Sequence, residues 1–248
     1  MRVLIACDKF KGSLTAPEAC EAIREGLKAS SRGDSFEISI LPIADGGDGM
    51  ARTLTAALAG EWKVRRVRNA LGDPLEAGYG LIENGKTAVI EMAEASGIAQ
   101  LRPEPLTPAI ANTFGTGELI VEAIARGVRK IILGIGGSAT NDGGTGMAKA
   151  LGWKFLDGEG TELNVLPSDL VRLAKVIPPE RRSIPEVIVA CDVTNPLLGP
   201  NGSTRIYGPQ KGISPEAMKS HEQGLATLVS ILEAEHEACE AGAGAAGG

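Results

Sequence analysis

Ile131-Ile132-Leu133-Gly134-Ile135-Gly136-Gly137-Ser138-Ala139-Thr140-Asn141-Asp142-Gly143-Gly144 decides how the chain is read. An apolar run enters a loop of glycines and small hydroxyl residues, and a helix-like segment, Met147 to Leu151, follows. Apolar strand, glycine-rich turn, helix is the layout that brings backbone N–H groups and a helix N-terminus up to an anion. Ser138 and Thr140 can donate to phosphate oxygens, and Asp142 can hold a divalent cation or a substrate hydroxyl. The competing reading is a plain strand-to-helix turn, because glycine loops are common punctuation. The flanking segments weigh against that reading.

Upstream, Asn112-Thr113-Phe114-Gly115-Thr116-Gly117-Glu118 is a second loop of glycine and hydroxyl residues that opens a helix. Thr113 and Thr116, with the backbone of Gly115 and Gly117, form a second candidate anion cradle. Two such loops before successive helices point to phosphate handling. At the start of the chain, residues 2–6 predict a buried strand. Thr15-Ala16-Pro17-Glu18 then predicts a helix start, with Thr15 as N-cap and Glu18 closing a capping box. Residues 36–41 alternate as a second strand, so residues 1–41 form a β-α-β unit of a parallel sheet. Ligands of such sheets sit beyond the carboxyl ends of the strands. Asp8, Lys9 and Lys11 lie at one such end, and Ala44-Asp45-Gly46-Gly47-Asp48-Gly49 lies at the next.

Strands are predicted at 62–69, 75–82 and 87–92, the last two around an Asn84-Gly85 hairpin signal. This antiparallel character departs from the opening unit and places a domain boundary near residue 65. The basic residues at 63–68 read as the outer face of a strand. Glu91 and Glu94 are either paired carboxylates or part of a helix N-terminal turn. Residues 151–177 carry little signal. Pro185 to Cys191 is an apolar strand ending in Asp192, which either binds Mg²⁺, accepts a substrate proton or makes a plain Asx turn. Lys211 supplies a cation, and a long amphipathic helix starts at Ser214-Pro215-Glu216.

Composition narrows the function classes. The chain has 248 residues, 43% of them hydrophobic and only 3% aromatic, which argues against base-stacking platforms for single-stranded nucleic acid. A net charge of −6 argues against a nonspecific grip on phosphate backbones. The chain has no apolar run long enough to span a bilayer. The four cysteines are scattered without metal spacing, which suits a reduced, cytoplasmic protein.

Six pieces, taken in order, resemble the glycerate kinase family of the bacterial type I kind. They are Asp8 to Ser13, Ala44 to Gly49, Thr113 to Glu118, Gly134 to Gly144, Ala190 to Gly199 and Gly208 to Gly212. Two departures are mild: Cys7-Asp8-Lys9 stands where the family usually has Pro-Asp-Ser, and Asp48 stands where it usually has Glu. Family members also continue well past the Gly-Ala-Gly-Ala-Ala-Gly-Gly motif on which this chain stops. The resemblance therefore implies a chain truncated inside a glycine loop.

The implied fold is α/β with two α/β domains. Residues 1–65 would begin a Rossmann- or flavodoxin-like parallel-sheet domain, incomplete here. Residues 66–240 would form a large inserted mixed-sheet α/β domain, and 241–248 would lead to the missing part. The implied activity is phosphoryl transfer from ATP, with Mg²⁺, to a hydroxyl of glycerate. The chain lacks a Walker Gly-x-x-x-x-Gly-Lys-Ser/Thr loop and the protein-kinase signature set.

On this reading the 136–144 loop (Gly136, Gly137, Ser138, Thr140, Asn141, Asp142) and the 113–117 loop hold nucleotide phosphates. Lys11 and Lys211 neutralise them or bind the glycerate carboxylate. Asp45 and Asp192 stand for Mg²⁺ ligation or proton acceptance, with the two roles undivided between them. Asp8, Ser13, Ser96 and Asn195 join the candidates for contact with substrate or phosphate. The expected partners are glycerate and a nucleotide, with no nucleic acid and no membrane, and a homo-oligomer is left open. The alternative is a catalytically silent nucleotide- or small-acid-binding remnant of such a kinase.

Overall fold

The computed structural model describes residues 1–10, 12–44, 47–101, 106–164, 166–180 and 184–235. Lys11, Asp45 and the segment 241–248, all singled out by the sequence, lie outside the described residues.

The architecture is α/β with parallel and mixed sheets, as expected. Strands β1 (Arg2–Ile5) and β2 (Glu37–Ile40) pair in parallel across the crossover helix α1 (Ala16–Ala29). The expected capping box is present: the Glu18 amide donates to Thr15 Oγ1 and the Thr15 amide donates to the Glu18 carboxylate.

The main sheet has five strands: β3 (Glu61–Arg68), β4 (Pro74–Ile82), β5 (Thr87–Glu91), β6 (Lys130–Gly134) and β9 (Glu186–Ala190), in that order. β3, β4 and β5 run antiparallel to their neighbours, and β5, β6 and β9 run parallel. Residues 65 and 66 are consecutive residues of β3, which pairs with β4 along its length.

Alternation along the strands loads both faces of this sheet. Ala77, Tyr79, Ile90, Ile131 and Leu133 face α4 (Phe114–Ala125), which contributes Leu119, Ile120 and Ala123. Ile82, Val89 and Ile132 face the opposite side, where α2 (Met50–Ala57) contributes Met50 and Ala51. Glycines on β4 let α2 and its neighbours approach. A Cβ at Gly80 would lie 1.7 Å from Thr55 Oγ1, and one at Gly78 would lie 2.3 Å from the Trp62 ring.

Residues 151–177, of low information in sequence, form the antiparallel pair β7 (Lys154–Asp157) and β8 (Leu173–Ile177). Phe155, Leu163, Leu173 and Val176 bury against Leu228 of α7 (Pro215–Glu235). Each strand is short and partly polar. The helix that completes this core is legible by itself but lies far along the chain, and no local pattern reveals that it packs on these strands.

Candidate functional site

Register brings the site together. Glu91, Gly134 and Ala190 are aligned across β5, β6 and β9, so three parallel strands end in one row. The segments that leave this row are α3 (Met92–Ser96), the glycine loop after β6 and Cys191-Asp192 after β9. The glycine loop and Cys191-Asp192 meet Asp8 and Lys9 from beyond the end of β1, and Gly47 and Asp48 from before α2. Tyr207, at the end of α6 (Ser203–Tyr207), and Gln210 and Lys211 complete a cavity of about 350 Å³. A site at the carboxyl ends of parallel strands is where open α/β sheets bind ligands.

Of the sequence candidates, Asp8, Gly136, Gly137, Ser138, Asp192 and Lys211 line this cavity. Lys211 is 3% exposed. Its Nζ donates to Ser138 Oγ at 2.9 Å and to the Thr140 carbonyl at 2.6 Å, which braces the glycine loop from behind. Burial lowers its pKa to about 8, opposed by the negative charge of Asp142. Asp192 is exposed at the rim.

Asn195 reaches the site through another side chain: the Tyr207 hydroxyl donates to Asn195 Oδ1 at 2.6 Å. Burial, and then the neighbouring Asp192 and Cys191, raise the Tyr207 pKa. Ser13 lies in an adjoining cavity of about 540 Å³ that shares Asp8, Lys9 and Asp48 with the first.

The remaining candidates are placed elsewhere. Ser96, Thr113, Gly115, Thr116, Gly117, Thr140, Asn141 and Asp142 are buried, and none lines the first cavity. Asp142 is a brace. Its Oδ2 accepts from the Thr113 amide at 2.9 Å, Thr113 Oγ1 at 2.8 Å and the Gly146 amide at 3.0 Å, and Oδ1 accepts from the Gly144 amide at 3.3 Å. Burial raises its pKa in spite of these donors. It ties the entry of α4 to the start of α5 (Thr145–Ala150).

Thr116 and Ser96 share a hydrogen bond of 2.8 Å. Gly115 and Gly117 serve close packing: a Cβ would lie 1.8 Å from the Arg68 carbonyl at the first and 2.6 Å from Ala150 Cβ at the second. The Asn141 amide lies 3.2 Å from Thr204 Oγ1 and 3.3 Å from His221 Nδ1, and burial lowers the His221 pKa. Apart from Thr140 Oγ1, which has no hydrogen-bond partner among the described residues, these buried polar groups satisfy one another beside the lining loop.

Several residues of the site were not singled out as site candidates by the sequence. Asp48 lines both cavities. Its Oδ1 is buried without a hydrogen-bond partner among the described residues, and a Cβ at Gly137 would lie 1.8 Å from it. The signal was its place in an acidic glycine turn at the sheet edge. Glu91 and Glu94 are not a pair that shares one site. Glu91 is 2% exposed and accepts from the amides of Gly49 at 2.7 Å and Ala51 at 3.0 Å. Burial raises its pKa to about 7, with smaller upward contributions from Glu94 and Asp48. Glu94 accepts from Arg52 Nε at 3.0 Å and from the Gly78 amide at 3.2 Å. Both carboxylates fasten α2 to the main sheet.

Among the described residues no group of three or more His, Cys, Asp and Glu gathers as a metal site, and no helix is long and apolar enough to cross a membrane.

Comparison with known proteins agrees with this architecture. The solved structure of a putative glycerate kinase 2 from Salmonella typhimurium LT2 superposes with a TM-score of 0.87 at 39% identity, covering 100% of this chain and 67% of that one. A glycerate kinase of Halalkalibacterium halodurans is 42% identical over 253 residues, 99% of this chain and 66% of the relative. The glycerate 2-kinase of Escherichia coli is 41% identical over 255 residues, 100% of this chain and 66% of the relative. The chain thus spans 66% of the length of these curated relatives. The profile of the glycerate kinase family matches residues 3–248. The chain belongs to the glycerate kinase family.

Proposed function

We propose that this protein phosphorylates a hydroxyl of glycerate with ATP, in the cytoplasm. The observation that carries the reading is one cavity in which the Gly136–Ser138 loop, braced by buried Lys211, faces the strand-end residues Asp8 and Asp192. Phosphoryl transfer asks a protein mainly for positioning and for neutralisation of spread-out negative charge. Backbone groups of Gly136, Gly137 and Ser138 hold phosphate oxygens, and Lys211 and Lys9 carry positive charge at the same wall. Lys11, which follows in the same loop, adds to that charge in this reading. Asp142, Thr113 and Thr116 act from beneath, by keeping the loop in shape.

The donor set fits Mg²⁺. Asp8, Asp48 and Asp192 offer carboxylate oxygens on one cavity, and Mg²⁺ takes only one or two protein carboxylates beside phosphates and waters. Asp192, with Asp45, would hold it. When bound, Mg²⁺ would neutralise part of the charge on the phosphates. The acceptor hydroxyl attacks the terminal phosphorus, its bond to ADP breaks, and the hydroxyl proton passes to Asp192 or Asp45.

The test is glycerate-dependent ADP release by the purified chain with Mg-ATP. Asp192→Asn should lower turnover by about a hundredfold or more while leaving nucleotide affinity within about threefold. Near-normal turnover in that variant removes Asp192 from the chemistry. A folded chain that binds ATP without turning over glycerate would instead be a nucleotide-binding protein.

A further inference from the structure

Two features at the cavity have no role in the transfer step above: the buried Glu91 carboxylate on the main sheet, and Asp48, whose Oδ1 has no hydrogen-bond partner among the described residues. They belong to one device. Glu91 is the last residue of β5, and its row partner Gly134 leads directly into the glycine loop. From that position its buried carboxylate receives the Gly49 and Ala51 amides. Amides of a first helical turn lack partners within the helix, and here a strand end supplies the acceptor. Gly49 itself has φ +90 and no side chain with which to cap. The turn before α2 therefore takes its position from Glu91.

Asp48 lies on that turn. Its Oδ1 packs where a Cβ of Gly137 would be, so the carboxylate sits directly against the glycine loop. The loop is held from the same source: the Ala139 amide donates to the Ser96 carbonyl at 2.8 Å, and the Ile98 amide to the Gly137 carbonyl at 3.0 Å. The segment 91–98 thus clamps Asp48 and the loop against each other. Asp48 also lines the cavity, where its carboxylate can accept from a hydroxyl donor. The hydroxyl that must approach the terminal phosphate is such a donor.

We propose that Asp48 orients the acceptor hydroxyl by accepting its hydrogen bond, and that Glu91 is the positioning residue that holds Asp48 there. This rests on the phosphotransfer reading above.

The experiment is a double-mutant cycle of Asp48→Asn and Glu91→Gln, read by steady-state kinetics and by amide hydrogen exchange. Glutamine keeps the shape of Glu91 but turns one acceptor into a donor, so one of the two amides loses its partner. Each single variant should lower kcat by about tenfold or more, with both KM values within about threefold, and the double variant should be no slower than Asp48→Asn alone. Losses that multiply in the double variant overturn the coupling.

A merely structural Glu91 would raise exchange throughout the sheet. A positioning Glu91 instead gives about tenfold faster exchange at Gly49 and Ala51 in Glu91→Gln, with β6 unchanged. If the wild-type chain turns over no glycerate, the phosphotransfer reading fails by itself. The exchange arm then decides the positioning role, and unchanged Gly49 and Ala51 amides overturn it. Should Glu91→Gln fail to fold, Asp48→Asn and Asp48→Glu decide the role of Asp48. Wild-type turnover in Asp48→Asn overturns it, and loss in Asn with partial recovery in Glu supports it.

Discussion

Lys211 shows what a single residue contributes and how it can be tested. Its ammonium is buried between Ser138 and the Thr140 carbonyl, and its pKa falls to about 8 because burial disfavours the charge. An unfolded lysine keeps its proton to higher pH. Between these two values the unfolded state binds more protons, so this group's contribution to stability grows as pH rises from about 8 to above 10. Anion binding runs the other way, because the attracting charge is lost over the same range. Nucleotide affinity should fall by about tenfold between pH 7 and pH 9, and Lys211→Met should bind more weakly with a flattened profile. Isothermal titration calorimetry across pH checks this, and a wild-type profile as flat as that of the variant would remove Lys211 from phosphate binding. Residue types in the glycine loop were readable as candidates for phosphate contact. Which of them face a ligand was not: Ser138 lines the cavity while Asp142, four residues later, is consumed by four backbone and hydroxyl donors.

At the scale of elements, helices α4 and α5 show how a glycine serves packing. Gly115-Thr116-Gly117 has the composition of an anion cradle, yet Gly117 lets the two helices touch. A Cβ there would meet Ala150 Cβ and the Met147 carbonyl, both at 2.6 Å. Gly117→Ala should destabilise the protein by about 1–3 kcal/mol through overpacking, more than the gain in helix propensity returns. Urea unfolding monitored by circular dichroism measures it, and a stability equal to or above wild type would sink the packing role. Helix α1 was legible to its first residue, because a capping box is a local pattern. The start of α2 was not, since its cap comes from Glu91, forty-two residues beyond Gly49.

For the molecule as a whole, the edge of the main sheet matters most. β9 ends the five-stranded order, and Val187, Ile188 and Val189 are 42%, 44% and 52% exposed. Among the described residues no strand pairs with the outer edge of β9, and such an apolar edge is a template for further pairing. The 1–248 chain should therefore self-associate as concentration rises, and Val189→Lys should reduce that association without loss of fold. Light scattering on size-fractionated protein reads the outcome, and a wild-type chain that stays monomeric at high concentration would contradict it.

The chain's own sequence determined the class of fold and the order of most elements, and it marked loops whose residue types suit contact with an anion. Those properties follow from short-range rules: strand alternation, helix caps, glycine turns and the chemistry of side chains read along one segment. Only the tertiary structure decided which candidates meet. It set Asp8, Asp48, Asp192 and Lys211 around one cavity, and it buried Thr113, Asn141 and Asp142 as its supports. The reason is register. The alignment of Glu91, Gly134 and Ala190 across three parallel strands is a long-range pairing, and no local stretch of sequence encodes which loops it will bring to the same edge.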